Sequence, residues 1–347
     1  MKKIRVGING FGRIGRAFLK VAWDRPEIEI IAVNDLGSVE NMAYLLKYDT
    51  VYREWKHPVR AESSNGTGDN YIIIGDKKVK VLAEKEPSNL PWKDLGVDVV
   101  VESTGLFVTY EKSKAHLDAG AKKVVITAPA KDGDGTINGE TILLGVNEEK
   151  FGTCDITSNA SCTTNAASPL IAILDESLGI EKAILNTVHG YTASQALVDG
   201  PSKKDLREGR AAAQNIVPSS TGAAIAVTKA FTKLSGLFDG ISIRVPVPAG
   251  SIVDITFIAK KNTTKEEINE ILKKAAGEKR WEGLFAVTEE ELVSSDILGS
   301  PYGSIADLKL TRVVGGNLVK VMGWYDNEMG YTYTLVEHVI KTGKTIT

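Results

Sequence analysis

Along the first 160 residues the apolar positions fall into short continuous runs separated by amphipathic stretches. Residues 4–8 form a β-branched strand, and a helical pattern then carries Ala17, Phe18, Leu19, Val21 and Ala22 toward Pro26. Residues 28–33 predict a second strand, closed by Asn34 and Asp35. The runs at 97–101 and 123–126 are apolar but for Asp98 and Lys123, as expected of strands buried on both faces of a parallel sheet. A helical segment at 111–119 lies between them. Residues 155–157 predict a strand ending near Ser158, followed by a helix over 166–178 with Pro169 in its first turn. Strands alternating with helices in this way predict an α/β domain with a doubly wound parallel sheet over residues 1–161.

The pattern then changes. Longer strands are predicted at 184–188, 240–246, 251–260 and 318–325, with helices at 210–234 and 264–276. Thr264 and Glu267 make a capping box that opens the last of these. Residues 199–209 are polar, carry Gly200-Pro201 and predict a long ordered loop. Region 162–326 therefore predicts an α+β domain with a mostly antiparallel or mixed sheet. A final helical pattern over 327–347 suits packing on either domain and is assigned to the first.

Length and composition narrow the classes. A chain of 347 residues allows two domains, and 43% apolar with 25% charged residues is ordinary for a globular protein. A net charge of −2, with both signs interspersed, gives no general reason for a nucleic-acid or membrane partner. Any phosphate affinity must be local. Two cysteines, Cys154 and Cys162, are too few for a disulfide framework and suit a reducing, cytoplasmic setting. The four histidines (His57, His116, His189, His338) lack metal-site spacing, so no metal is expected. Met1-Lys2-Lys3 runs through a short apolar stretch straight into glycines, so no export segment is expected, nor does any run reach membrane-spanning length.

Candidate chemistry begins at Gly10, Gly12 and Gly15. Gly-x-Gly-x-x-Gly alone is a weak signal, but here it follows a strand, opens a helix and is followed by Asp35, 20 positions beyond Gly15. Those glycines let the backbone approach a pyrophosphate on the helix N-terminus. Asp35 can accept hydrogen bonds from a ribose diol and would repel a 2′-phosphate, and Leu36 supplies no compensating cation. The cofactor expected is NAD rather than NADP, on a Rossmann-type domain.

Cys162 sits between predicted strand and helix, where unpaired backbone N–H groups and the helix dipole favour negative charge. A lone intracellular cysteine is more often a buried structural thiol, but Ser161 and Thr163 make these surroundings polar. His189, at the end of a strand and followed by Gly190, points toward a cleft and can act as a base; by itself it could equally be a structural histidine. A thiolate beside an imidazolium is a good nucleophile. With the dinucleotide fingerprint, the pair suits aldehyde oxidation through a hemithioacetal and a thioester. Thr192 and the loop-to-helix transition at 218–224, with Thr221 and Gly222, look like anion cradles, and Arg244 offers a bidentate guanidinium.

Gly10-Phe11-Gly12-Arg13-Ile14-Gly15, Ser161-Cys162-Thr163-Thr164-Asn165 and His189-Gly190-Tyr191-Thr192 occur in this order along the chain. They are joined by Pro218-Ser219-Ser220-Thr221-Gly222-Ala223-Ala224, Arg244-Val245-Pro246 and Trp324-Tyr325-Asp326-Asn327-Glu328. With these motifs the sequence resembles phosphorylating glyceraldehyde-3-phosphate dehydrogenases along nearly its whole length. That resemblance implies Cys162 as nucleophile and His189 as its acid/base partner. It places the substrate's C3 phosphate near Thr192 and Arg244, and inorganic phosphate near Ser161, Thr163, Thr221 and Gly222. It implies NAD contacts at Arg13, Ile14, Asp35, Thr127 and Asn327, with Ile14 and Tyr331 flanking the nicotinamide. A homotetramer is also implied, with a loop like 190–210 reaching toward a neighbouring subunit. The implied product is 1,3-bisphosphoglycerate.

Departures from the family pattern are Ala166 where many relatives carry a second cysteine, Thr127 where serine is usual, and Ala196 and Ile225 where lysines are common. Glu208 occupies a position that is arginine in some bacterial relatives; an inward carboxylate would weaken an anion field, so it is left out of the site. An erythrose-4-phosphate dehydrogenase, which hydrolyses its thioester, is the alternative reading. A Cys–His hydrolase would need no NAD, and a binding protein for RNA or another partner would want a basic stripe that this chain lacks.

Overall fold

The structure, a computed structural model, describes residues 2–63, 70–202 and 205–346. Residues 203 and 204 of the predicted 199–209 loop, and residues 1 and 347, lie outside them. The chain divides into two units: Met1–Ile142 with Glu148–Ala160 and Leu335–Thr347, and Leu143–Asn147 with Ser161–Thr334.

In the first unit the uninterrupted apolar runs form parallel strands. Its elements begin β1 (Ile4–Asn9), α1 (Arg13–Ala22), β2 (Ile28–Asn34) and α2 (Val39–Lys47). A two-stranded ribbon, β3 (Tyr48–Asp49) and β4 (Arg53–Glu54), precedes a meander of β5 (Val59–Ser63), β6 (Asn70–Ile74) and β7 (Lys77–Leu82). Then come β8 (Val99–Glu102), α3 (Tyr110–Asp118), β9 (Lys123–Ile126), β10 (Gly139–Thr141) and β11 (Ile156–Ser158). The sheet order is β10-β11-β9-β8-β1-β2-β7-β6-β5. Every pairing is parallel except those of β6 with its two neighbours. Order reverses at β1, the crevice where open α/β sheets hold ligands at the carboxyl ends of their strands. Ala32, Trp92, Val97 and Val100 pack one face of this sheet, and Tyr110, Val124, Ile126 and Ile156 make a second cluster.

The second unit opens on α4 (Cys162–Leu178) and β12 (Ile180–Gly190), then β13 (Val217–Ser220) and α5 (Ala223–Ala230). β14 (Phe238–Val245), β15 (Ser251–Ala259), α6 (Lys265–Ala276), β16 (Phe285–Thr288) and β17 (Ser304–Asp307) follow. β18 (Arg312–Val314) and β19 (Leu318–Tyr325) complete the sheet, and α7 (Met329–Lys344) crosses from this unit into the first. The sheet runs β13-β14-β12-β15-β19-β17-β16 and is mixed: β12 with β14 and β16 with β17 are parallel. α4 lies on one face, where Leu170, Ile171 and Leu174 meet Leu185, Val253, Ile255 and Val321 in the core.

Three expectations need correction. The helix predicted at 210–234 does not exist as one element. Val217–Ser220 is an edge strand on β14, and only Ala223–Ala230 is α-helical, between short 3₁₀ turns. Pro218 disfavours helix at Val217 and lacks an N–H, which an edge strand tolerates. The helix predicted to start at 166 starts at Cys162, capped by Ser161. Pro169 is consequently inside α4 rather than in its first turn, at the cost of one backbone hydrogen bond.

Candidate active site

The glycine loop leaves β1 at Asn9. Gly10 adopts φ +91°, and a Cβ there would lie 2.6 Å from the Thr104 backbone nitrogen. A Cβ on Gly15 would lie 2.2 Å from the Gly10 carbonyl oxygen, so glycine is what lets α1 pack this close to the loop. Gly12 caps α1 with no side-chain bond, no acidic residue occupies the first turn, and nothing lies within 4 Å of its notional Cβ. A helix N-terminus with a glycine cap and no acidic first turn suits a pyrophosphate. Asp35, just past β2, accepts hydrogen bonds from the N–H of Phe11 (2.8 Å) and of Gly37 (3.0 Å). It thus holds the loop and remains an acceptor at its rim. Cradle and carboxylate together fit NAD.

Beneath the loop, Glu102 closes a buried network. Its carboxylate accepts from Asn9 Nδ2 (2.6 Å), His116 Nε2 (3.0 Å) and the Thr104 N–H (2.8 Å). Trp92 Nε1 donates to His116 Nδ1 (3.1 Å), so the proton on this ring is at Nε2. Arg13 pairs with Asp49 at 2.7 Å, Ile14 is half-buried in α1, and Thr127 follows β9 with its N–H on the Glu102 carbonyl.

In the second unit, sheet register does the assembling. His189 on β12 is level with Arg244 on β14 and with Ser251 on β15, which is level with Tyr325 on β19. Because level residues share a face, one row across four strands carries all four side chains. α4 brings its first residue, Cys162, to this row. Cys162 Sγ lies 3.4 Å from His189 Nε2, and His189 Nδ1 lies 2.6 Å from the Gly190 carbonyl oxygen. A carbonyl only accepts, so Nδ1 carries the proton and Nε2 turns a lone pair to the thiol. The ring meets Tyr325 edge-on at 5.9 Å.

Burial pushes the Cys162 thiol up, opposed by the Arg244 guanidinium and by the hydroxyl and N–H of Thr163. Burial, with Arg244 acting in the same direction, lowers His189 to about 3. Desolvation thus opposes the thiolate–imidazolium pair expected from the sequence, while the Arg244 field and the Thr163 donors favour the thiolate. The missing factor was desolvation, which neither the spacing nor the helix dipole reveals.

Arg244 completes the cluster. Its Nε and Nη1 are buried with no hydrogen-bond partner, a guanidinium prepared for an incoming anion. Ser161 Oγ caps α4 by accepting the Thr164 N–H (3.1 Å), and Thr163 Oγ1 lies 2.9 Å from Tyr325 Oη. Thr192, Thr221 and Gly222 lie on separate turns with local bonds: Thr192 Oγ1 to Ser194 Oγ (3.0 Å), the Ala223 N–H to Thr221 Oγ1 (3.2 Å), and Gly222 at the cap of α5. Glu208 accepts from Ser219 Oγ at 2.8 Å and, with Ser194, Arg207 and Ser220, lines a cavity of about 820 Å³. Asn327 and Tyr331 belong to this unit, both buried. Asn327 Oδ1 accepts from the Gly250 N–H (2.9 Å) and Ser251 Oγ (3.1 Å), which turns its NH2 the other way.

Two residues of this row were missed by the sequence reading, Ser251 and Tyr325. The signal for Tyr325 was its place two positions before Asn327 at a strand end. For Ser251 it was only a polar residue opening a strand that is otherwise apolar on its inner face.

A glycine-loop domain fit for NAD, on one chain with a half-buried thiol beside a buried imidazole and a guanidinium with two unpartnered nitrogens, fits the class of dinucleotide-dependent oxidoreductases. Residues 4–110 match the family model for the glyceraldehyde 3-phosphate dehydrogenase NAD binding domain, and residues 161–327 match that for the C-terminal domain. The glyceraldehyde-3-phosphate dehydrogenase of Mycobacterium avium is 48% identical, with 99% of each chain covered. That of Streptomyces coelicolor is 46% identical over 98% of each. The chain belongs to the glyceraldehyde-3-phosphate dehydrogenase family.

Proposed function

We propose that the protein catalyses the reversible, NAD-dependent oxidation of glyceraldehyde 3-phosphate and transfers the acyl group to inorganic phosphate, giving 1,3-bisphosphoglycerate. The observation that carries this reading is the 3.4 Å Cys162–His189 pair beside the unpartnered nitrogens of Arg244, on a chain with the NAD cradle. Cys162 Sγ forms a bond to the aldehyde carbon while its proton passes through His189 Nε2 to the carbonyl oxygen. The His189 imidazole then takes that hydroxyl proton as the carbon is oxidised, and a thioester remains. NAD, when bound, supplies the acceptor for the hydride. The residues that would hold it are Gly10, Gly12, Arg13, Ile14, Gly15, Asp35, Thr127, Asn327 and Tyr331. A phosphate oxygen attacks the thioester, the carbon–sulfur bond breaks, and the sulfur recovers its proton from His189.

Arg244 and Thr192 are assigned to the C3 phosphate, and Ser161, Thr163, Thr221 and Gly222 to inorganic phosphate. A phosphate entering such a site replaces water with fixed donors. Asp35 with exposed Leu36 beside it favours NAD over NADP. The outer face of the second unit's sheet exposes Ile184 and Ile241, and the loops beside it expose Leu197, Val198, Leu206 and Ile216. This apolar surface supports burial against further copies of the chain, as a homotetramer. Among the described residues no helix is long and apolar enough to cross a membrane, and with both cysteines unpaired a cytoplasmic setting is proposed.

The test is NADH formation by the purified chain with glyceraldehyde 3-phosphate and with erythrose 4-phosphate, each with and without inorganic phosphate. A glyceraldehyde 3-phosphate rate that requires phosphate supports the proposal. A faster, phosphate-independent rate with erythrose 4-phosphate would replace it with the hydrolytic reading.

A further inference from the structure

Ala160, two residues before Cys162, has φ +53° and is fully buried. That left-handed conformation costs a residue with a Cβ about 1–2 kcal/mol, and it persists only where the surroundings over-determine it. The strand that runs into it, β11, is tied down on both faces. On one face Ser158 Oγ donates to the Ala128 carbonyl (2.7 Å) and accepts the Ala160 N–H (3.0 Å). On the other, Thr157 and Asn159 stand two positions apart and point the same way, and both meet His338 of α7. His338 Nδ1 lies 3.1 Å from Asn159 Oδ1, and Nε2 lies 2.8 Å from Thr157 Oγ1. All three belong to the first unit.

An amide oxygen only accepts, so Nδ1 carries a proton, and burial keeps a second one off the ring. Nε2 therefore accepts from the Thr157 hydroxyl. The Phe151 ring meets the imidazole edge-on at 4.9 Å, and Leu335, Val336 and Val339 beside it on α7 are fully buried. Thr157 is 1% exposed, and Asn159 and His338 not at all. A leucine against a valine would fill this place with no polar group to satisfy. A hydrogen-bonded bridge fixes angles that apolar contact leaves open. What it directs is Asn159, the residue next to the strained one.

We propose that His338 is a positioning residue for the nucleophile: its bridge to Thr157 and Asn159 holds the left-handed turn at Ala160, from which the chain passes through Ser161 to Cys162. This builds on the reading of Cys162 as the attacking thiol. Without the bridge, Ala160 relaxes toward an ordinary negative φ. The relaxation rotates the peptide that joins it to Ser161, whose Oγ caps α4. The 3.4 Å separation of Cys162 Sγ from His189 Nε2 depends on where that cap starts the helix. A nucleophile displaced by about 1 Å loses up to ~100-fold in rate. Arg244 and the glycine loop are untouched by the change, so affinity for aldehyde and NAD stays.

The experiment compares the full-length protein with His338→Leu, with Thr157→Val, and with the double variant Thr157→Val/His338→Leu, in which no hydroxyl is left facing the leucine. Three quantities are read at pH 7: kcat and KM for NADH formation, the rate of Cys162 alkylation by iodoacetamide, and the urea midpoint. The double variant should keep its urea midpoint and both KM values, while kcat and the alkylation rate each fall about 10-fold. Thr157→Val alone keeps the bond to Asn159 and should fall less than about 3-fold. A double variant as fast as the parent in turnover and alkylation would overturn the proposal. So would a fall in kcat that comes with a raised KM for NAD or a lowered urea midpoint, the mark of general loosening. Should His338→Leu alone not fold, the double variant decides. Turnover that survives complete alkylation of Cys162 in the parent would instead remove the cysteine from its role, and the alkylation rates would still report on the turn.

Discussion

At the scale of single residues, a few buried polar groups set the chemistry available to the site. Arg244 is the sharpest, because its Nε and Nη1 are enclosed without a partner. Charge-assisted hydrogen bonds contribute about 1.5–3 kcal/mol each, so Arg244→Leu should raise the KM for glyceraldehyde 3-phosphate roughly 10- to 100-fold. Initial-rate kinetics check this, and an unchanged KM would remove Arg244 from the anion site. Asp35 accepts two backbone N–H groups at the rim of the glycine loop, where the proposal sets the ribose. Asp35→Asn keeps an acceptor for the loop but loses the charge, and should shrink the preference for NAD over NADP about 10-fold or more. An unchanged ratio in kcat/KM would count against the ribose role. His189 shows what a sequence hides at this scale. Its residue type and strand-end place were readable, but its tautomer is fixed by the carbonyl of Gly190 and its charge state by burial, neither of which is a property of spacing.

At the scale of elements, local signals were legible where they were self-sufficient. Thr264 and Glu267 announced α6, and Thr264 Oγ1 does accept the Glu267 N–H at 3.2 Å. Thr264→Ala should destabilise the second unit by about 1 kcal/mol, read from urea unfolding, with turnover unaffected. A loss near zero would mean the cap is dispensable. The apolar strands β8 and β9 were equally plain, because a parallel sheet covered on both faces leaves no alternation to confuse. Residues 210–234 were not. The alanines around Pro218 resemble helix in isolation, and only pairing with β14 makes Val217–Ser220 a strand. The row Arg244, His189, Ser251 and Tyr325 was likewise invisible, since it depends on inter-strand register. The start of α4 was missed by four residues because Cys162, Thr163 and Thr164 are indifferent helix formers, whereas the cap on Ser161 decides the matter.

At the scale of the molecule, each unit buries a histidine whose titration burial lowers. His338 in the first donates from Nδ1 to Asn159 Oδ1 (3.1 Å) and accepts at Nε2 from Thr157 Oγ1 (2.8 Å), and burial lowers it to about 3. His189 in the second is also lowered to about 3. Between that value and the unfolded 6.5 the unfolded chain binds protons that the native state refuses. Stability therefore rises with pH across this window and is lost as pH falls from 6.5 toward 3. At pH 5 each histidine should cost its unit about 2 kcal/mol relative to pH 7 or above. Urea midpoints at pH 7 and pH 5 check this, and equal midpoints would contradict the neutral assignments.

The most direct test of the central claim, that oxidation leaves the acyl group on Cys162, is mass spectrometry of the enzyme mixed with NAD and glyceraldehyde 3-phosphate in the absence of phosphate. The account predicts one acyl adduct on the peptide containing Cys162, which disappears when inorganic phosphate is added. NADH formed with no adduct on that cysteine, or an adduct that phosphate leaves in place, would contradict it.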